Sequence, residues 1–293
     1  MTETFFKYLQ FEKRLSRHTL ISYQNDIGQF SKFLQVTYTG TSAENANYGM
    51  IRSWIISLVE EGLQSSSVNR KIACLRSFYN FLLRNETITK NPMAKVNVLK
   101  SKKRLPTFVK EAEMNNMLDH SEFSGSFEGL RDQLVMEMLY ATGMRLSELI
   151  NLKERNVDFR NTTIKVLGKR NKERVVPFPG KLVSTIEAYK AVRNKEVEMK
   201  DHGLLLVTDN GDPCYPMLIY RTVSKYLAST TTVEKKSPHI LRHTYATHLL
   251  NHGAEINAVK DLLGHSSLAA TQVYTHNTID KLKKAFDLAH PKA

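Results

Sequence analysis

Six side chains stand out as candidates for chemistry: Arg145, Lys169, His239, Arg242, His265 and Tyr274. Planar guanidinium forks bind anionic oxygens two at a time. A tyrosine hydroxyl, with a free pKa of about 10, is a poor nucleophile at neutral pH and must lose its proton as it attacks, close to cationic groups. His239 and Arg242 are three apart in SPHILRHTYATHLLNHG, so they share one helical face. Taken singly, each candidate has an ordinary explanation. Arg145 could be a salt-bridged surface residue, Lys169 a solvated turn lysine and Tyr274 a packing aromatic. His239 and His243, and likewise His248 and His252, stand four apart, as in a helical metal site. The first pair lacks the HExxH glutamate and no third ligand is evident, so no metal is expected.

The elements that must position these residues follow from local signals. SPHILRHTYATHLLNHG has a helix start at Ser237 and Pro238 and a stop at Gly253. DLLGHSSLAATQVYTH predicts a helix ending at Gly264, a turn holding His265, and a further helix displaying Tyr274. LYATGMRLSELINL breaks one helix at Gly143 and opens another, with Arg145 at the junction. TTIKV and RVVPF, rich in β-branched residues and separated by LGKRNKE, predict a hairpin with Lys169 at its turn. Helical patterns also cover residues 181–197 and 216–228.

The first hundred residues are predicted to be helical. Leu20, Tyr23, Ile27, Phe30 and Leu34 recur at three and four, as do Val68, Ile72, Leu75, Tyr79 and Leu82. With helices near 3–14 and 48–62, these make a four-helix domain over residues 1–95. Asn69, Arg70, Lys71 and Arg76 are placed on a basic outer face. KVNVLKSKKRLP has five basic and no acidic residues, so 96–106 is read as a linker and 107–293 as the second domain.

The 293 residues, 41% hydrophobic, suffice for two cores. Lys and Arg outnumber Asp and Glu by 42 to 29, which draws the chain to a polyanion. The excess concentrates in residues 1–105, with 16 basic against 7 acidic. Cys74 and Cys214 are far apart and form no CxxC, which argues against a disulfide framework or a cysteine zinc site. The N-terminus mixes charges into its apolar residues, and no stretch approaches the roughly 18 continuous apolar residues of a membrane span. A cytoplasmic protein without membrane partners is expected.

The order of the set is more telling than its members. Arg145, Lys169 in GKRNKERVVPF, His239-x-x-Arg242 in HILRHTYATHLL, His265 in LLGHSS and Tyr274 in TQVYTH together resemble the active site of the tyrosine recombinase, or phage integrase, family. The basic helical first third is similar to that family's core-binding domain, so the resemblance spans nearly the whole chain. Within the family, HTYATHLL and LLGHSSLAATQVYTH are most similar to the bacterial Xer recombinases, which resolve chromosome dimers. Arg170 stands where Xer-like hairpins commonly have glycine.

The resemblance implies a mainly α fold, with an N-terminal four-helix SAM-like core-binding domain and a mostly helical catalytic domain bearing a small β-hairpin. It implies a DNA strand-transferase that cuts and rejoins through a 3′-phosphotyrosine at Tyr274, without metal, ATP or cofactor. Arg145 and Arg242 would hold the phosphate, Lys169 would protonate the 5′-oxygen, His239 would act as base or orient Tyr274, and His265 would hydrogen-bond the phosphate. Arg70, Lys71, Arg76, Arg170 and Lys172 are the expected DNA contacts. The implied partners are a double-stranded recombination site, a homo- or hetero-tetramer formed by exchange of a C-terminal helix over 278–293, a second Xer recombinase and a DNA translocase. In the tail, Ile279, Leu282 and Phe286 recur at three and four, and a helix packed on its own domain is the competing expectation. A DNA invertase, a mobile-element integrase and a type IB topoisomerase remain alternatives.

Overall fold

The computed structural model describes residues 1–100, 107–120, 123–168, 173–198, 200–264 and 276–292, with backbone alone for 120 and 276–281. It divides into two compact units, Met1–Arg104 and Leu105–Ala293.

In the first unit, α1 (Thr2–Lys7) continues into a π-helical turn, Tyr8–Glu12. The helix α2 (Arg17–Thr37) starts where the Ser16 hydroxyl accepts from the Thr19 amide, and α3 (Tyr48–Glu60) where Asn47 accepts from that of Met50. Helix α4 (Ser65–Arg84) is the centre of this unit and buries Val68, Ile72, Leu75, Phe78, Tyr79 and Leu82. They pack against Phe5, Ile27, Phe30, Leu34, Ile51 and Trp54. The Tyr79 hydroxyl donates to the Ala43 carbonyl at 2.6 Å, so its polar tip is paired inside the core.

Two expectations for this unit need correction. Lys71 is not on an outer face: it is 4% exposed, and its ammonium donates to Asp26 at 2.9 Å and to Gln29 at 2.5 Å. Asp26 is itself buried and also pairs with Arg70. The helix is wrapped widely enough that position 71 falls inside, where a charge persists only when paired. Residues 96–99, assigned to a linker, are docked. Val96 is buried, Arg76 donates to its carbonyl at 2.9 Å, and the Asn69 amide brackets the Leu99 backbone at 2.8 and 2.9 Å. These contacts hold the chain on α4 despite its basic composition.

The second unit is built around α6 (Phe127–Thr142), buried along most of its length. It packs against α8 (Lys181–Glu196), α9 (Pro216–Thr230) and α10 (Pro238–Asn251), with α5 (Glu111–His120) on its flank. Ser237 precedes α10, but its side chain makes no capping bond. Between the short α7 (Leu146–Ile150) and α8 lies an antiparallel sheet in the order β1-β2-β3: β1 (Val157–Asp158), β2 (Thr163–Leu167) and β3 (Glu173–Pro177). The expected hairpin is β2 and β3, with Ile164 opposite Val176 and Val166 opposite Arg174.

A smaller core joins α10, α11 (Ile256–Leu263) and α12 (His276–Ala289), where Leu282, Phe286 and Ala289 cover Tyr245, Leu249, Val259 and Leu262. The C-terminal helix is thus folded onto its own domain in this structure, and the Ile279 side chain lies outside the described residues. Beyond it, His290 is buried, stacked on Phe286 at 4.8 Å and bonded to the Tyr140 carbonyl at 3.4 Å. Lys292 pairs with Asp119 of α5 at 2.5 Å. His248 has both ring nitrogens occupied, by the Tyr140 hydroxyl and the Val109 carbonyl, each at 2.9 Å.

Candidate active site

The arrangement begins with two glycines. Gly143 closes α6 in the left-handed region, at φ 57°, and a Cβ there would lie 2.3 Å from the buried Tyr245 ring. The tight exit places Arg145 at the start of α7. Gly264 closes α11 at φ 63°, and a Cβ there would press on the Arg174 side chain at 3.0 Å.

Arg145 caps its own helix. Its backbone amide donates to Glu148 Oε2 at 2.7 Å, while its Nη1 donates to Oε1 at 2.9 Å. Its Nη2 donates to the Gly264 carbonyl at 3.0 Å. Arg242, one turn along α10 from the exposed His239, donates to the Gly143 carbonyl at 2.5 Å and to the Leu263 carbonyl at 2.6 Å. Arg174 points inward from β3, donating from Nε to the Leu262 carbonyl at 2.9 Å and from both terminal nitrogens to Glu148 at 2.6 and 2.8 Å.

Three successive carbonyls at the end of α11, those of Leu262, Leu263 and Gly264, therefore each accept from a different guanidinium: Arg174, Arg242 and Arg145 in turn. A helix carbonyl end carries partial negative charge and lacks intrahelical donors, which suits it to hold cations. Here one helix end aligns three elements that are distant in sequence.

The cluster is dry on one side. Arg174 and Glu148 are 4% and 5% exposed and Arg242 is 9%, whereas the Arg145 side chain keeps 22% of its surface open. Burial lowers the Arg242 pKa to about 10, helped by the charges of Arg145 and Arg174, so it remains a cation at neutral pH. Burial pushes the Glu148 carboxyl up, but hydrogen bonds and charge from Arg174 and the bonds from Arg145 outweigh it and hold the group below its ordinary value. The carboxylate is ionised and shared between two guanidiniums, which suits this corner to gripping an anion with fixed, partly desolvated donors.

Of the six candidates, the structure brings Arg145 and Arg242 together and places His239 in the first turn of α10. Lys169, His265 and Tyr274 lie outside the described residues, as do Arg170 and Lys172. Arg70 is exposed and Arg76 half-buried on the first unit. Glu148 and Arg174 were not anticipated. The Arg-x-x-Glu spacing at a helix start is a capping-box pattern that could have marked Glu148. An arginine in a strand position facing the core, opposite Val166, could have marked Arg174.

Residues 107–281 match the phage integrase family, and residues 2–86 match the phage integrase N-terminal SAM-like domain. The chain is 37% identical to tyrosine recombinase XerC of Bacillus subtilis strain 168 over 292 residues, covering 99% of this chain and 95% of that protein. It is 38% identical to tyrosine recombinase XerC of Staphylococcus carnosus, covering 99% and 97%. Among solved structures, the Tn1549 transposon integrase with transposon right-end DNA superposes with a TM-score of 0.73 at 19% identity, covering 97% of this chain and 98% of that one. XerH recombinase bound to a palindromic difH substrate gives 0.71 at 22%, covering 91% and 78%.

Proposed function

Because the chain belongs to the phage integrase family of tyrosine recombinases, we propose that it cuts and rejoins DNA at a specific site through a 3′-phosphotyrosine bond at Tyr274. The observation that carries the reading is the paired Arg145 and Arg242, buried from behind and locked on the end of α11. Each guanidinium has five N–H donors, so donors remain for the non-bridging oxygens of a phosphate.

In the proposed step the Tyr274 oxygen attacks phosphorus, its proton passes to His239 or to solvent, and the bond to the 5′-oxygen breaks. Lys169 delivers a proton to that oxygen, which would otherwise leave as an alkoxide. Arg145 and Arg242, with a hydrogen bond from His265, stabilise the charge that grows on the equatorial oxygens. One phosphoester replaces another, so the reverse attack by a 5′-hydroxyl rejoins the strand without ATP or metal.

The identity to proteins named XerC supports chromosome dimer resolution as the biological role, in the cytoplasm, with a second recombinase and a DNA translocase as partners. Tetramer formation through the C-terminal helix requires α12 first to leave the core where Leu282 and Phe286 are buried. Arg70 and Arg76 are the proposed contacts of the first unit with DNA, and Arg170 and Lys172 those of the hairpin.

The test is to incubate the protein with host genomic DNA, stop with SDS and sequence the protein-linked fragments, with Tyr274→Phe as control. A single chromosomal site, trapped only by the tyrosine enzyme, is expected. Several sites in inverted pairs would instead identify an invertase, sequence-independent relaxation of any supercoiled plasmid a topoisomerase, and adducts that persist in Tyr274→Phe would refute the nucleophile.

A further inference from the structure

We propose that Arg174 is a positioning residue for DNA cleavage, releasing Arg145 from its own carboxylate so that it can hold the scissile phosphate; this rests on the recombinase reading above.

Arg145 has a competing anion beside it. Its Nη1 lies 2.9 Å from Glu148 Oε1, and a buried carboxylate with a single cationic partner would hold that partner tightly. Arg174 changes this balance. It takes both carboxylate oxygens in a fork, at 2.6 and 2.8 Å, and leaves Arg145 with one side-chain bond to an acceptor already in use. Three guanidiniums against one carboxylate leave the cluster two net positive charges for an incoming phosphate. Without Arg174 one remains, and Arg145 is drawn into a neutral pair.

The geometry adds a second effect. Arg174 sits on β3, five positions after Lys169 in the sequence, and its Nε donates to the Leu262 carbonyl near the end of α11. It therefore couples the start of α7, the hairpin and the end of α11 by the three guanidinium nitrogens of one buried side chain. A lysine there would keep the charge and lose the fork.

The experiment measures single-turnover formation of the Tyr274 adduct by full-length protein on a nicked duplex carrying the trapped site. The scissile linkage is either the natural phosphate or an uncharged methylphosphonate. Wild type, Arg145→Ala, Arg174→Met, Arg174→Lys, Glu148→Gln and Arg174→Met/Glu148→Gln are compared. Loss of a direct donor costs roughly 100- to 1,000-fold in rate. Arg174→Met is expected to slow cleavage of the phosphate by roughly 10- to 100-fold, short of Arg145→Ala, with DNA affinity unchanged within about threefold. On the methylphosphonate, which has no charge for Arg145 to neutralise, both losses should shrink to within about fivefold. The double variant restores the net charge and should recover at least about tenfold over Arg174→Met, while Arg174→Lys should fall between Arg174→Met and wild type.

Equal losses on the two linkages, with no recovery in the double variant, would overturn the proposal and leave Arg174 a support of the fold. Wild-type rate in Arg174→Met would also overturn it. If Arg174→Met does not fold, Arg174→Lys decides on the two linkages: a loss on the phosphate that shrinks on the methylphosphonate supports the proposal, and equal losses on both overturn it. Absence of a Tyr274-dependent adduct in wild type itself would overturn the recombinase reading and this proposal with it, whereas a wild-type adduct with unaffected variants sinks the proposal alone.

Discussion

Acidification should loosen the C-terminal helix through one side chain, His290. Its imidazole is enclosed by Tyr140, Tyr245 and Phe286, with ring centroids 5.2, 5.5 and 4.8 Å away. Nδ1 accepts from the Lys292 amide at 3.1 Å, and Nε2 faces the Tyr140 carbonyl. Burial is the main cause that takes its pKa from the usual 6.5 down to about 4, with the nearby His248 and His252 adding to it. The folded state therefore prefers the neutral ring. The resulting stability is fully present above pH 6.5 and is lost as the pH falls toward about 4, because the released tail takes up a proton that the docked tail refuses. At about 1.4 kcal/mol for each pH unit, that fall is worth about 3 kcal/mol, or about 100-fold in the equilibrium for releasing the tail. Hydrogen exchange of the amides of residues 282–290, followed from pH 7 to 4 and corrected for intrinsic exchange, reads that equilibrium directly. His290→Phe keeps a ring of similar size and removes the titration, so its opening should change far less over the same window. Parallel pH dependences in wild type and His290→Phe would refute the reasoning and shift the effect to His248, whose pKa burial also lowers.

Two further substitutions test the supports of the fold. Gly143→Ala combines a left-handed backbone, costing about 1–2 kcal/mol, with overlap against the Tyr245 ring, costing about 1–3 kcal/mol. It should lower the thermal midpoint and, by moving the carbonyl that holds Arg242, reduce adduct formation as well; an unchanged midpoint would contradict the packing described. Asp26→Ala leaves the Lys71 ammonium buried without its carboxylate and should cost about 3–5 kcal/mol in urea unfolding. Asp26→Leu with Lys71→Met should recover most of that loss, and failure to do so would mean that the pair is not the source of the penalty.

Elements with strong local signals were legible in the sequence. The three-and-four spacing from Ile27 to Leu34 and from Val68 to Leu82 marked α2 and α4 because their inward faces are almost purely apolar. Gly143 and Gly264 marked helix ends because the left-handed turn there suits glycine. The two-residue β1 carries too little pattern to announce itself, and its pairing with β2 is settled by tertiary placement. Lys71 falls on the buried face by spacing, in line with Val68 and Leu75, but residue type pointed the other way. Only the structure supplies the Asp26 that makes its burial tolerable. The same holds for the site. Arg145 and Arg242 were readable from motif words, while the partnership of Glu148 and Arg174 depends on a contact across 26 residues that no local pattern encodes. Lys169, His265 and Tyr274 stay as motif-based assignments.

The run of carbonyls at the end of α11 also bears on how this site can change over evolutionary time. The N–H groups of Arg145 and Arg242 that fasten the start of α7 and the helix α10 to the end of α11 belong to the same guanidiniums proposed to meet the phosphate. A mutation that alters either arginine therefore strikes architecture and reactivity together, and a drift that weakens one cannot be offset by tuning the other separately. Exposed positions such as Arg70 make none of these bonds, and a residue there can be exchanged without unfastening that corner.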